Sequence, residues 1–197
     1  MIQDSLFVFS NAPQAYLAPD DLVRLNHWED YEYGPVALYD VSQGLQVKVW
    51  KAWTDGSNIY LSPRDDTSNP TLITSDQGIN EVSLAFTMSG QPVIAYRLQS
   101  GTKLHYYEPL NAGYITMDVL YAKSPMLTLD VKNTRSLISD VTLLYINDRT
   151  VCYRLQRERF LIEHTTNVLV PSAYSRISNV GMTTGNRLRI TISSVKN

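Results

Sequence analysis

The tetrapeptide Tyr-Arg-Leu-Gln occurs twice in this chain of 197 residues, at residues 96–99 and 153–156. Each copy closes a pair of segments in which apolar and polar residues alternate, and a turn rich in Gly, Pro, Asn or Asp separates the two segments. Alternation on both sides of such a turn is typical of a β-hairpin. The repeat therefore predicts that one hairpin design is used twice, and it does not point to a chemistry.

A third and weaker copy of the hairpin precedes the other two. Residues 47–53 lead through a turn at residues 54–57 into residues 58–61, so Tyr60 stands where Tyr96 and Tyr153 stand in the later copies. The turn is weakly similar to the Asp-box turn of sialidase blades, but Asp-Gly is also common in ordinary hairpin turns.

From residue 36 onward the chain divides into three successive antiparallel meanders of about four strands each. We predict their strands at 35–39, 45–53, 58–61 and 71–74, at 82–88, 93–98, 104–107 and 114–120, and at 141–146, 151–155, 160–163 and 188–192. Four such strands make one blade of a β-propeller. We therefore predict an all-β fold that resembles three propeller-type blades, arranged as an open propeller segment or as a sandwich.

The first 35 residues differ from the rest and are predicted to form an N-terminal arm or docking segment, followed by the repeated all-β domain at 36–197. The arm is irregular, with prolines at 13, 19 and 35. A proline followed by two acids at 19–21 predicts at most one short helix. The apolar run at 6–9 is expected to add a strand, either to the last sheet of this domain or to a neighbour's sheet.

Charge and composition exclude several classes of partner. The formal net charge is -2 and no long run of Lys and Arg occurs, so we expect no nucleic-acid binding. No apolar run approaches the roughly 18 residues that would span a bilayer, and the first residues lack the basic start of a signal peptide. We therefore expect no membrane association. We also expect the chain to be assembled in a cytoplasm.

Patterns that carry catalysis or bind metals are missing from the sequence. His27, His105 and His164 are scattered without the spacing of a zinc site, and no nucleophile elbow or phosphate-binding glycine loop occurs. Cys152 is the only cysteine, so no intramolecular disulfide can form, and we expect a small apolar strand residue there rather than a nucleophile. We predict no enzyme and no cofactor or metal.

Arginine and tryptophan side chains are the best candidates for contact with a partner. The densest charged cluster lies at residues 154–159, and its arginines would either solvate a turn or pair with carboxylates of a neighbouring subunit. Trp50 and Trp53 lie on opposite faces of one predicted strand, so we expect one of them to be exposed or docked. The candidate interface residues are Leu6, Phe7, Phe9, Trp28, Trp50, Trp53, Arg154, Arg157 and Arg159.

Several short segments carry a resemblance to a known family, at residues 11–13, 34–38 with 44–45, 82–86, 139–145 and 180–182. They resemble virion structural proteins of tailed bacteriophages. The segment 153–163 is similar to a Tyr-x-Arg-x-Gln-Arg-Asp-Arg-Phe-x-Ile-Glu segment of that group. This chain departs from the group at Glu158, where an Asp is expected, and at residues 87–90, where an Asp-x-Asn-Gly turn is expected.

The resemblance implies a non-enzymatic component of the phage virion, located in the tail and assembled in the host cytoplasm. Its partners would be other virion tail proteins, and it would form a homo-oligomer within a symmetric particle. The alternative is an adhesin module of the tail that binds a receptor or a host surface glycan through exposed aromatic side chains. A more remote alternative is a glycoside hydrolase-like propeller fragment, which would need two close carboxylates.

Overall fold

The computed structural model describes residues 31–40, 44–63, 68–87, 91–129, 140–182 and 188–194. Of the candidate interface residues, Leu6, Phe7, Phe9 and Trp28 lie outside these ranges, as does the predicted short helix. Residues 31–35, which the sequence places in the arm, belong to the first strand. The division into an arm and a domain stays a prediction.

The described ranges form three four-stranded antiparallel sheets and a two-stranded ribbon. Sheet 1 contains β1 Tyr31–Asp40, β2 Gly44–Thr54, β3 Asn58–Pro63 and β4 Thr71–Ser75. Sheet 2 contains β5 Glu81–Phe86, β6 Pro92–Leu98, β7 Gly101–Glu108 and β8 Gly113–Leu120. Sheet 3 contains β9 Ala122–Leu129, β10 Val141–Asn147, β11 Thr150–Leu155 and β12 His164–Leu169. The ribbon contains β13 Ser175–Met182 and β14 Leu188–Ser194.

Helical structure in the described ranges is confined to two 3-10 turns, Pro109–Asn111 and Gln156–Glu158. No helix in this part of the chain has the length and apolar character needed to cross a membrane. The predicted all-β fold class is confirmed. The first two predicted meanders match sheets 1 and 2, because clean alternation and turn residues mark each of their hairpins.

The third predicted meander is wrong in part. Sheet 3 begins one strand earlier, at β9, and residues 160–163 form a tight turn and a short link rather than a strand. The predicted strand 188–192 pairs with β13 in the separate ribbon. Consequently the two Tyr-Arg-Leu-Gln copies do not occupy equivalent positions, because β6 is the second strand of sheet 2 and β11 is the third strand of sheet 3.

The sheets stack face to face, and alternation along each strand divides its residues between two cores. In β6, Ile94 and Tyr96 pack towards sheet 1, whereas Val93 and Ala95 pack towards sheet 3. The core between sheets 1 and 2 includes Ala52, Ile59, Leu61, Val82, Leu84, Ile94, Tyr96 and Leu98. The core between sheets 2 and 3 includes Ala85, Val93, Ala95, Leu104, Tyr106, Leu127, Leu143, Tyr145, Cys152 and Phe160.

The ribbon covers the other face of sheet 3. Leu144, Ile146 and Val151 pack there against Ile177 and Ile190. Along the stack, the first strand of each sheet contacts the first strand of the next, from β1 to β5 to β9 to β13. Blades of a propeller have this relation, but the choice between an open propeller segment and a sandwich stays a prediction.

Candidate functional site

After β11 the chain reverses its direction in a tight turn that contains two consecutive residues in the left-handed conformation. Arg159 N donates to the Gln156 carbonyl at 2.7 Å and Phe160 N donates to the Leu155 carbonyl at 3.0 Å, the pair of hydrogen bonds of a Schellman motif. Arg159 and Phe160 have φ values of 56° and 57°, which are uncommon for residues other than glycine. The Phe160 ring is buried and lies edge-on against the Tyr106 ring, with ring centroids 5.0 Å apart. This burial favours the left-handed conformation.

Arg154 lies in a network that reaches the core between sheets 2 and 3. Its Nε donates to the Tyr145 hydroxyl at 3.0 Å, and its Nη1 donates to the Phe160 carbonyl at 2.9 Å. Glu163 Oε2 lies 3.7 Å from Arg154 Nη2 and accepts a hydrogen bond from the Tyr145 hydroxyl. Tyr145 is fully buried, and this burial raises the pKa of its hydroxyl, so the group stays a neutral donor.

Arg159 joins the third sheet to the second. Its Nε donates to Glu108 Oε2 at 2.8 Å, and Tyr106 Oη donates to the Arg159 carbonyl at 3.1 Å. Glu108 has only 2% of its side chain exposed, and the hydrogen bond from Arg159 lowers the pKa of its carboxyl. The pair therefore places a charged contact at the boundary between the two sheets.

Arg157 is the most exposed of the three predicted interface arginines. Its Nη1 lies 3.3 Å from Asp140 Oδ2, and 54% of its side chain is exposed. All three arginines thus make polar contacts within the chain, and the structure spreads them over separate partners instead of joining them in one patch. Their role at a subunit interface stays a prediction.

Trp50 and Trp53 lie on opposite faces of β2, as the strand pattern predicts. Trp50 packs against Phe86 of sheet 2, with ring centroids 6.0 Å apart. Trp53 stacks on Tyr60 at 5.7 Å, and Lys51 Nζ lies 5.1 Å from the centroid of the Trp53 ring. Both rings of the Trp53–Tyr60 pair are partly exposed.

Asp55 organises the turn between β2 and β3. Its carboxylate accepts from Asn58 Nδ2 at 2.9 Å, from the Ser57 and Asn58 backbone amides at 2.9 and 2.7 Å, and from the Tyr60 hydroxyl at 3.1 Å. These donors, with Asn58 first, lower the pKa of Asp55 to about 2. The hydrogen bonds of the Asp55 carboxylate thus come from residues of this turn and of β3, so the residue has a structural role.

His105, His164 and Cys152 make structural contacts, whereas His27 lies outside the described residues. His105 stacks on Tyr114 and shares a hydrogen bond with Thr116, and burial lowers the pKa of its ring. His164 Nε2 lies 2.6 Å from Glu158 Oε2. Cys152 is buried, and this burial raises the pKa of its thiol to about 11. In the described ranges, no group of three or more His, Cys, Asp or Glu side chains could hold a metal ion.

A cleft of about 370 Å³ lies where sheets 2 and 3 meet. Three chain reversals form it: the turn between β6 and β7, the link between β8 and β9, and the turn between β10 and β11. Its lining residues are Arg97, Gln99, Ser100, Gly101, Tyr121, Ala122, Lys123, Asn147 and Asp148. The sequence marks the first and third reversals as turns, but only the stacking of the sheets brings them together.

Comparisons with protein-family models, with curated proteins and with solved structures gave no match for this chain.

Proposed function

We propose that this chain is a non-enzymatic structural component of a phage virion, in the tail, that acts in assembly or fibre attachment through protein–protein contacts. The resemblance of residues 153–163 and of the other quoted segments to virion proteins supports the proposal. Its partners are other tail proteins and further copies of itself in a symmetric particle. The stacked sheets, which share continuous apolar cores, supply the rigid support that such a component needs.

The observation that carries the proposal is the aromatic pair of Trp53 and Tyr60 on sheet 1. The neighbouring cross-strand pair, Ala52 and Leu61, is buried in the core with sheet 2. Because successive residues of a strand point to opposite faces, Trp53 and Tyr60 lie on the face of sheet 1 that points away from sheet 2. Large stacked aromatic side chains that keep exposed area are typical anchors of protein–protein contacts.

Lys51 is a charged side chain next to this pair, with its Nζ 5.1 Å from the centroid of the Trp53 ring. A charged residue beside an aromatic anchor fits the polar rim of an interface. Arg157 and Arg159 follow β11 of the third sheet and pair with Asp140 and Glu108, but they keep 54% and 47% of their side chains exposed. They are candidates for a separate contact with a charged partner.

Substitution of the aromatic anchor tests the proposal. Trp53→Ala should leave a folded chain that no longer forms a complex with candidate neighbouring tail proteins, measured by co-purification and light scattering. Tyr174→Ala is the matched control, because Tyr174 is an exposed aromatic in the link between β12 and β13. Equal complex formation by both variants would contradict a contact at Trp53.

Deletion of residues 1–18 tests the arm. We expect the shortened chain to keep its circular dichroism spectrum and unfolding midpoint, and to lose assembly with its partners. Loss of folding would instead make the arm part of the core.

The second candidate function is a glycan- or receptor-binding adhesin of the tail, and the cleft between sheets 2 and 3, which combines apolar surface with polar side chains, favours it. Trp50 is unsuited to such a role because its ring packs against Phe86, whereas Trp53 is partly exposed. A glycoside hydrolase uses two carboxylates beside the scissile bond. The described lining of the cleft contains one, Asp148, which favours binding over hydrolysis.

A further inference from the structure

The cleft between sheets 2 and 3 has the size and composition of a ligand site. At about 370 Å³ it lies within the range of small-molecule pockets, about 300–1,000 Å³. Apolar surface alternates in its lining with polar side chains, some of which donate hydrogen bonds while others accept them, so the cleft suits a ligand that has both an apolar face and hydroxyl groups.

Two cations in the cleft retain donors without partners. Arg97 Nη1 lies 2.7 Å from Glu81 Oε1, but its Nε is buried and has no hydrogen-bond partner in the described part of the chain. Lys123 lies on β9 with its side chain exposed, and it makes no ion pair with a described residue. Arg97 keeps 24% of its side chain exposed, so the accessible part of its guanidinium and the Lys123 ammonium place positive charge at the cleft, which favours an anionic group of a ligand.

Acceptors occupy another part of the lining. Asn147 ends β10, Asp148 follows it in the turn before β11, and Gln99 comes from the turn between β6 and β7. The Asp148 carboxylate can accept hydrogen bonds from sugar hydroxyls, but it would repel an anionic group placed beside it. Hydroxyls of a ligand therefore belong in this part of the cleft, and an anionic group belongs beside the two cations.

Tyr121 supplies an exposed aromatic ring at the rim. Its φ of 61° is uncommon for a bulky residue, and 75% of the residue is exposed. The neighbouring backbone is fixed, because Thr102 Oγ1 donates to the Ala122 carbonyl at 2.9 Å. The exposed Tyr121 ring offers a flat apolar surface beside polar groups, which suits the face of a sugar ring.

We propose that this cleft binds a short saccharide that carries a carboxylate. The carboxylate lies against Arg97 and Lys123, the hydroxyls bind Asp148, Asn147 and Gln99, and the sugar ring lies against Tyr121. The proposal specifies the ligand class for the adhesin alternative. It does not rest on the assembly role, which uses the Trp53 face of sheet 1.

The test is a titration of the full chain with trigalacturonic acid. Calorimetry measures the binding, and amide chemical shifts locate it. The methyl ester of the same trisaccharide is the matched neutral probe. We expect saturable binding of the acid, at least tenfold weaker binding of the ester, and the largest shifts at Gly101, Lys123 and Asn147. Failure of the acid to bind, or equal binding of acid and ester, would overturn the proposal.

Substitutions then assign the site. Lys123→Gln should weaken binding of the acid about tenfold, the factor that corresponds to one lost charge-assisted contact. Arg189→Gln is the matched control, because Arg189 is an exposed cation on β14 outside the cleft lining. Equal effects of the two substitutions would overturn the assignment. Trp53→Ala should bind the acid as tightly as the unchanged chain, so the two proposals can fail separately. Equal complex formation by the Trp53 and Tyr174 variants would contradict the assembly contact alone, and failure of the acid to bind would overturn this site alone.

Discussion

Arg159 and Glu108 form an ion pair across the boundary between the second and third sheets, with Arg159 Nε 2.8 Å from Glu108 Oε2. The two residues are 51 positions apart in the sequence. The carboxylate is nearly inaccessible, whereas about half of the guanidinium side chain is exposed. The pair therefore links the turn after β11 to the end of β7.

Glu108→Gln should destabilise the fold, because the amide keeps the shape of the side chain but removes the charge that faces Arg159. The pKa of Glu108 lies below its ordinary value, so its ionised form stabilises the folded chain above about pH 4 and this contribution is lost as the pH falls further. Thermal unfolding midpoints measured from neutral to acid pH check this. The variant should lose less stability than the wild type on acidification.

Arg157→Gln serves as the control for that experiment, because the Arg157–Asp140 pair is more exposed. Exposed pairs contribute little to stability. A larger effect of Arg157→Gln than of Glu108→Gln would contradict the importance of the buried carboxylate.

Tyr145→Phe removes the hydroxyl that joins Arg154 to Glu163. Because this hydroxyl is buried and bonded to two charged groups, we expect the free energy of unfolding to fall by about 1–3 kcal/mol. Urea denaturation measures the change. Tyr153→Phe is the control, since Tyr153 is partly exposed and its ring stacks on His164. Equal stability of the two variants would argue against the network.

Asp55 should titrate with a pKa of about 2 in the folded chain, because it accepts hydrogen bonds from Asn58, Ser57 and Tyr60. The ionised form stabilises the fold above about pH 4, and this contribution is lost as the pH falls to about 2. Carboxyl carbon chemical shifts measured against pH check the value. An ordinary pKa near 4 would mean that the turn does not hold the carboxylate.

Asp55→Ala should lower the unfolding midpoint more than Asp55→Asn. Asparagine keeps one side-chain oxygen as an acceptor for the turn amides, whereas alanine removes them all. The comparison thus separates the hydrogen bonds of the turn from the charge.

Cys152 should not react with a thiol reagent in the folded chain. The thiol is buried in the core between sheets 2 and 3, and the raised pKa of about 11 leaves little thiolate at neutral pH. Ellman's reagent added before and after unfolding measures this directly. Rapid reaction of the native chain would contradict the placement of this residue.

Hairpins with clean alternation were predictable from the sequence. In β5 and β6, every second residue packs towards the same core, and this period is visible in the residues themselves. The strand β9 was missed because Pro125 lies within it and Ser124 has a φ of 53°, so its residues do not alternate regularly. The strands predicted at 141–146, 151–155 and 188–192 match β10, β11 and β14, but without β9 they are assigned to the wrong places within the third meander.

The apolar run after Arg159 was misread as a strand for a related reason. Phe160 is buried, but Leu161 and Ile162 are exposed, and the Schellman motif ends the strand before them. A short apolar run does not by itself identify a strand. Contacts such as Arg159–Glu108 and the cleft at Arg97 and Lys123 join residues far apart in the chain, so no local pattern reports them.

The mass of the full chain in solution tests the central claim most directly. Light scattering at several concentrations, alone and then with candidate neighbouring tail proteins, should show a symmetric oligomer or a stable hetero-complex. A chain that stays monomeric at every concentration and ignores those proteins would contradict an assembly role.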